Sequence, residues 1–476
     1  MSKTVYEVDL CVIGAGSGGL SVASGAAQLG RSVVLFEGEE MGGDCLNYGC
    51  VPSKALIAAG KHAAAFSNGE QFGVKPAKPV VNFETVKSHI QGVIDHIAPV
   101  DSQERFEGLG CIVIRERARF KDANTVESDT TEVKAKRVII ATGSRAAAPP
   151  IPGLDEVDYL TNETIFSMPQ QPKHLLVIGA GPIGLEIGQA FFRFGSKVDI
   201  VDIAPPLVRS EPEHAKVLVD ALKKEGINFH APAKTKQIRK TKTGVAIDLE
   251  DGTTLNGTHL LVAAGRRPMM DGMQLDKAGI KHDRRGIETD DYLRTSNKKV
   301  WAVGDVAAGR GGLTHAAGFH AGQIIQSFYF MPPGINAKAT TDRMPAAIYS
   351  EPELAGIGMT EAQAREAGHD VRCVTWDFEE NDRAIAERND EGGIKIVATK
   401  SGKILGASIV GEGAGDLIQL ISLAMANKIK IRGLTKFISP YPSRAELIKR
   451  AAGSWYTDTV FSPKTRKLAG FWTKFH

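Results

Sequence analysis

The sequence predicts an α/β protein in which one strand–turn–helix–strand unit occurs twice and an α+β domain follows. Three observations predict it. A glycine-rich turn follows an apolar strand at Gly14–Gly19 and again at Gly179–Gly184. Each unit continues to a second apolar strand ending in an acid, Glu37 or Asp202, and each acid lies 18 residues after the last glycine of its turn. Each unit is then closed by an apolar strand that runs into glycine, Val138–Gly143 and Leu260–Gly265.

In order along the chain, Tyr6–Ile13 reads as a strand, the run to Leu29 as a helix and Ser32–Phe36 as a strand. Gly14, Gly16 and Gly19 let the backbone turn sharply and approach a pyrophosphate at a helix N-terminus, and Glu37 is placed for ribose hydroxyls. His174–Ile178, the turn with Gly179, Gly181 and Gly184, a helix through Phe194 and the strand Lys197–Val201 repeat the pattern. One glycine turn is weak evidence; two with matched acids predict a pair of Rossmann-like dinucleotide sites. Asp202 stands where an acid binds the 2′-hydroxyl and repels a 2′-phosphate, and no arginine follows it directly, so NADH is preferred over NADPH. Gly143 and Gly265 permit close turns past a nucleotide.

Proline-rich Pro149–Gly153 marks a linker. From about Met344 short strands (346–349, 371–376, 394–398, 404–410) surround helices at 361–366 and 416–425, an α+β texture. The boundaries read from these shifts are 1–150, 151–270, 271–343 and 344–476.

Between the first unit's acid and its closing strand lies Gly42-Gly43-Asp44-Cys45-Leu46-Asn47-Tyr48-Gly49-Cys50-Val51-Pro52-Ser53-Lys54. Pro52 suits a first helical turn, and Ser53–Ala65 reads as helix. Cysteines just ahead of a helix sit near the positive end of its dipole, which favours thiolate, and a pair that can close is a two-electron device. From spacing alone, two inert buried cysteines in a turn are the better reading. A zinc site would show a shorter gap and a second pair, so no metal site is assigned.

Composition narrows the rest. The 476 residues include 51 glycines, suited to tight turns. The net charge of +3 is too small to argue for nucleic acid. Five cysteines do not make a disulfide framework, and no apolar run approaches the ~18 residues of a membrane span. The expectation is a soluble, cytoplasmic protein.

Taken together and in this order, these motifs resemble the flavoprotein disulfide reductases, closest in pattern to mercuric reductase and dihydrolipoamide dehydrogenase. The resemblance spans nearly the whole chain and adds Ala141-Thr142-Gly143, Gly265-Arg266-Arg267-Pro268 and Gly304-Asp305 to the two glycine turns and the cysteine pair. It implies FAD on the first unit, NAD(P)H on the second, and a homodimer formed by the C-terminal domain. It places Gly43, Ala141, Thr142, Gly143, Gly304 and Asp305 at FAD, and Gly265 and Arg266 among the nucleotide-binding residues. Cys50 would be the thiolate beside the flavin and Cys45 the thiol that meets the acceptor. Lys54 would lie by the flavin, paired with Glu186.

One departure matters. Dihydrolipoamide dehydrogenase and glutathione reductase carry a catalytic histidine near the C-terminus, with a glutamate following. The matching positions here are Tyr441 and Glu446. A phenol titrates near 10 and imidazole near 6.5, so Tyr441 is a poor proton shuttle at neutral pH. Mercuric reductase resembles this chain in having tyrosine there, and thiolate capture of a soft metal ion needs no shuttle. That family also carries a C-terminal cysteine pair, however, and the last cysteine here is Cys373.

The leading expectation is an enzyme passing electrons from NAD(P)H through FAD and Cys45–Cys50 to a small-molecule or metal-ion acceptor, whether thiol-reactive, disulfide or metal. The alternatives are a working dihydrolipoamide dehydrogenase and a non-catalytic flavoprotein that serves as a redox sensor or assembly subunit. The tail mixes Lys449, Arg450, Lys464, Arg466, Lys467 and Lys474 with Trp455, Phe461, Phe471 and Trp472. No clean amphipathic period is visible in it, which favours packing on a dimer partner over contact with a membrane surface or an acidic partner.

Overall fold

The computed structural model describes residues Lys3–Phe475. The chain forms two compact units, one from the N-terminal residues through Ile203 with Phe229–Thr341, the other from Ala204–Asn228 with the residues after Thr341.

In the first unit, Thr4–Ile13 is the central strand of a sheet. It runs parallel to Val33–Phe36 on one side and to Thr131–Ile140 on the other. Cys111–Ile114 and Val300–Ala302 extend the parallel part. Leu10 through Ile13 are all buried, as expected of a parallel strand covered on both faces. Helix Ser17–Gln28 buries Gly18, Gly19, Ala23, Ala26 and Ala27, small residues that let it lie close to its neighbours.

The second motif repeats this geometry. His174–Ile178 runs parallel to Lys197–Val201 and His259–Val262. Gly14 N–H donates to Phe36 O and Gly179 N–H to Val201 O, both at 2.8 Å; Ala141 N–H donates to Ile13 O and Ala263 N–H to Ile178 O, also both at 2.8 Å. The repeat in sequence is thus a repeat of the hydrogen bonds that end the central strands.

The cysteine segment differs from the sequence expectation. The helix begins at Cys50, so Cys50 occupies the first turn and does not precede it. Cys45 lies in a separate short helix, Gly43–Asn47, which starts after Gly42 in the left-handed region. The helix Phe83–Asp101, capped by the Asn82 side chain, was not anticipated.

The second unit is built on a five-stranded antiparallel sheet in the order Ala346–Ile348, Glu353–Gly358, Ile404–Gly411, Gly393–Thr399, Val371–Asp377. Glu353–Gly358 escaped the sequence reading because its two glycines and flanking proline hide the strand pattern. Alternation sorts the two sheet faces. Ile394, Ile396, Ala398, Ala407 and Ile409 join the core with helices Ala414–Ala426 and Glu446–Ser454.

Lys395 and Ser408 point to the opposite face, where helix Pro212–Glu225 lies. Buried Lys395 is bound by Glu211 (3.1 Å), Glu213 (2.6 Å) and Glu361 (2.8 Å), and His214 Nδ1 meets Ser408 Oγ at 2.8 Å. Burial lowers the Lys395 pKa, but hydrogen bonds to the three carboxylates outweigh it and leave it raised. These contacts explain why Ala204–Asn228, inside the sequence range 151–270, groups with the C-terminal unit.

Lys395→Ala strands the buried Glu211 carboxylate. It is expected to cost about 3–5 kcal/mol, read as a lower denaturant midpoint by circular dichroism. A loss below about 1 kcal/mol, the scale of an exposed pair, would contradict a buried network.

Candidate active site

The first glycine turn must be glycine for steric reasons. Gly14 has φ +102°, and a Cβ there would lie 2.6 Å from Ala141 O; a Cβ on Gly19 would lie 1.9 Å from Gly14 O. Helix Ser17–Gln28 has no side-chain cap, so its first amides remain available to an anion. Glu37 is braced into this turn, accepting from Ala15 N–H at 2.6 Å and Glu39 N–H at 2.7 Å. Burial raises its pKa.

The second turn matches. Gly179 has φ +114° with Ala263 O 2.5 Å from its notional Cβ, and a Cβ on Gly184 would lie 2.0 Å from Gly179 O. Asp202 accepts from Ala180 N–H at 2.7 Å, the counterpart of Glu37 and Ala15. A side chain at Gly181, Gly143 or Gly265 would meet no protein atom within 4 Å. The turns therefore combine steric need for glycine with open space and amide donors, which fits a pyrophosphate at each.

The cysteine segment is fastened to the first turn. Gly42 N–H donates to Ala15 O at 3.0 Å. A Cβ on Gly43 would lie 2.8 Å from Gly16 Cα. Cys45 is half-buried, Cys50 exposed, and both sulfurs are unbridged. Thr314 Oγ1, at the start of helix Thr314–Tyr329, lies 3.2 Å from Cys50 Sγ. The Cys45 thiol donates to the Cys50 sulfur; this bond, helped by Thr314 and the Lys54 ammonium, outweighs burial and brings Cys50 down to about 6. The same contact and burial drive Cys45 upward. Burial raises Cys11, Cys111 and Cys373 as well, so Cys50 is the one cysteine poised as a thiolate.

Lys54, one turn along that helix, pairs with Glu186 of helix Pro182–Arg193 at 2.8 Å, with Glu186 buried. Arg266 is tied to the cysteine segment. Its guanidinium meets Asp44 at 3.1 Å and donates to Ser144 Oγ and O at 2.9 and 2.7 Å. Asn162 also donates to Asp44, at 3.0 Å.

Asp305 accepts from Ser144 Oγ and from Gly312 N–H, both at 2.6 Å. Gly304 N–H donates to His320 Nδ1 at 3.2 Å, and Thr142 Oγ1 donates to Met269 O at 2.6 Å. Ser144, Asn162 and Thr314 were missed in the sequence. Asp44 was legible there as the acid beside Cys45.

Tyr441 and Glu446 lie in the other unit. Tyr441 is 73 % exposed, and its hydroxyl donates to Asp382 at 2.9 Å. That bond raises the phenol further from neutral pH. Glu446 opens helix Glu446–Ser454.

Residues 8–321 match the model of the pyridine nucleotide-disulphide oxidoreductases, and residues 344–452 match the dimerisation domain of the same group. The chain belongs to this family. It is 33% identical over 463 residues to a mercuric reductase of Streptomyces lividans, covering 95% of this chain and 97% of the relative. It is also 33% identical over 457 residues to a dihydrolipoyl dehydrogenase of Geobacillus stearothermophilus, covering 94% and 96%. Among solved structures it resembles the Cu(II) complex of the HOCl-induced flavoprotein disulfide reductase RclA of Escherichia coli, with TM-score 0.81, 25% identity and coverage of 93% and 99%. Members of the family are NAD(P)H-dependent flavoprotein disulfide oxidoreductases, so FAD and a nicotinamide dinucleotide are the expected cofactors. The dimerisation domain points to a homodimer. Among the described residues no helix is long and apolar enough to cross a membrane.

In the reduced protein, ultraviolet thiolate absorbance is expected to rise with a midpoint near pH 6, the Cys50 value. Cys45→Ala removes the donor and is expected to shift that midpoint upward; Cys50→Ser is expected to remove the step. A wild-type midpoint near the ordinary thiol value of about 8.5 would contradict this polarity.

Proposed function

We propose that this protein is an NADH-dependent reductase whose Cys45–Cys50 couple delivers an electron pair to a thiol-reactive acceptor, with a soft metal ion favoured over lipoamide. In this reading FAD binds residues 1–150 with 271–343, the nicotinamide 151–270, and 344–476 pairs the subunits. Bound FAD supplies the two-electron chemistry linking nicotinamide oxidation to the opening of a disulfide. The chain supplies the rest. Cys50 holds the negative charge, Cys45 holds the proton, and Thr314 contacts the pair. Lys54, ion-paired with Glu186 at 2.8 Å, lies on the same helix as Cys50.

The observation that carries the choice of acceptor is Tyr441. Disulfide exchange with lipoamide needs a group that takes and returns a proton near neutral pH, and a phenol raised by Asp382 does not. Capture of a soft metal ion needs only deprotonated sulfur. The similarity to proteins named mercuric reductase supports this reading. Leu420, Leu423 and Ile438 are exposed in the same unit as Tyr441, which supports a homodimer that brings Tyr441 to a partner copy. Five cysteines in 476 residues, too few for a disulfide framework, support a reducing compartment, the cytoplasm. Asp202, aimed into the second glycine turn, supports NADH over NADPH.

NADH oxidation by purified enzyme, assayed with lipoamide and with thiol-ligated Hg(II) or Cu(II), tests this. Wild type is expected to turn over lipoamide at least about 100-fold more slowly than Tyr441→His, the scale of a missing acid–base group. Rapid wild-type lipoamide turnover would refute the choice. With the best acceptor, kcat/KM for NADH is expected to exceed that for NADPH, and Asp202→Ala to narrow the ratio. A ratio favouring NADPH would overturn the assignment of Asp202.

A further inference from the structure

The chain is held in the C-terminal core through Trp455, which is buried and stacked under Arg372, whose carbon Cζ lies 4.7 Å from the ring centre. The dimerisation match ends at residue 452. Beyond it, helix Pro463–Trp472 is capped by Ser462 and buries none of its side chains. An isolated helix of ten residues is marginal in water, so this one requires a surface to lie on.

Its pattern is plain once the helix is known. Leu468, Phe471, Trp472 and Phe475 follow i, i+3, i+4, i+7 spacing, and Phe461 precedes the helix just before its cap. All five are exposed, Trp472 at 55 %. The Phe471 ring packs edge-on against Trp472 at 5.6 Å and against Phe475 at 5.2 Å, so the three rings form one contiguous exposed stripe. The period that the sequence reading did not find is therefore present. Lys464, Arg466, Lys467 and Lys474 accompany the stripe, and no acid follows Asp458.

We propose that this tail is a membrane-surface anchor that lays its aromatic stripe into the headgroup region of an anionic bilayer. Charge selects among possible occupants. Packing two tails together would place four cations against four, whereas an anionic lipid surface complements all of them. An exposed stripe of self-packed rings suits a deformable interface, where tryptophan and phenylalanine insert shallowly beside flanking lysines. One such helix binds weakly, and a homodimer would present two, which multiplies the effect.

Co-sedimentation of the full chain with phosphatidylcholine vesicles, with and without phosphatidylglycerol, tests this. Wild type is expected to bind the anionic vesicles at least about tenfold more tightly than the neutral ones, with binding falling as salt rises. Phe471→Ser/Trp472→Ser, and separately a chain ending at Phe461, are expected to lose that binding while keeping dimer size and NADH oxidation. No binding to anionic vesicles would overturn the proposal. Undiminished binding by both variants would overturn it too, since charge elsewhere would then suffice. Loss of dimer size in either variant would assign the stripe to a second copy.

Discussion

The cysteine segment is held to the first glycine turn by close backbone contacts, and the rest of the site depends on them. Gly43 approaches Gly16 so closely that a Cβ on Gly43 would lie 2.8 Å from Gly16 Cα, and Gly42 N–H donates to Ala15 O. A turn shaped for a pyrophosphate thus also sets the start of the thiol-bearing helices. Cys45 and Cys50 inherit their position from it. Lys54, one helical turn further, reaches Glu186 on the helix that opens from the second glycine turn. The duplicated units are thus joined by the Lys54–Glu186 pair as well as by Arg266 and Asp44.

Electrostatic asymmetry between the two thiols follows from local donors. Two equal cysteines would share a proton evenly. Here the Lys54 ammonium favours charge on Cys50, and Cys45 is left as the hydrogen-bond donor. Asp44 acts against Cys50, and Arg266 and Asn162 hold its carboxylate in place. A chain of contacts therefore runs from Asp305 through Ser144 and Arg266 to Asp44, tying the late segment of the first unit to the residue beside Cys45.

Much of this was legible in the sequence because it is local. Glycine turns, the strands beside them and the acids 18 residues on are set within a few dozen residues, and the structure repeats them almost atom for atom. What was hidden is long-range. Thr314 meets Cys50 across 264 positions, and no spacing rule connects them. Helix Pro212–Glu225 reads as part of a nucleotide unit until buried Lys395 is seen to need Glu211 and Glu213. The position of Cys50 inside the helix was obscured because Pro52 suggested a later start, although proline is tolerated throughout a first turn. The tail's period was masked by the turn at Ser462, which resets the register.

If Cys45 and Cys50 open and close as a pair under the control of the nicotinamide, alkylatable thiols in the air-oxidised holoenzyme increase on anaerobic addition of NADH. The expected gain is two thiols per chain, mapped to Cys45 and Cys50 by peptide mass, and none in Cys50→Ser. A count that NADH leaves unchanged, or a gain that maps to Cys11, Cys111 or Cys373, would contradict it.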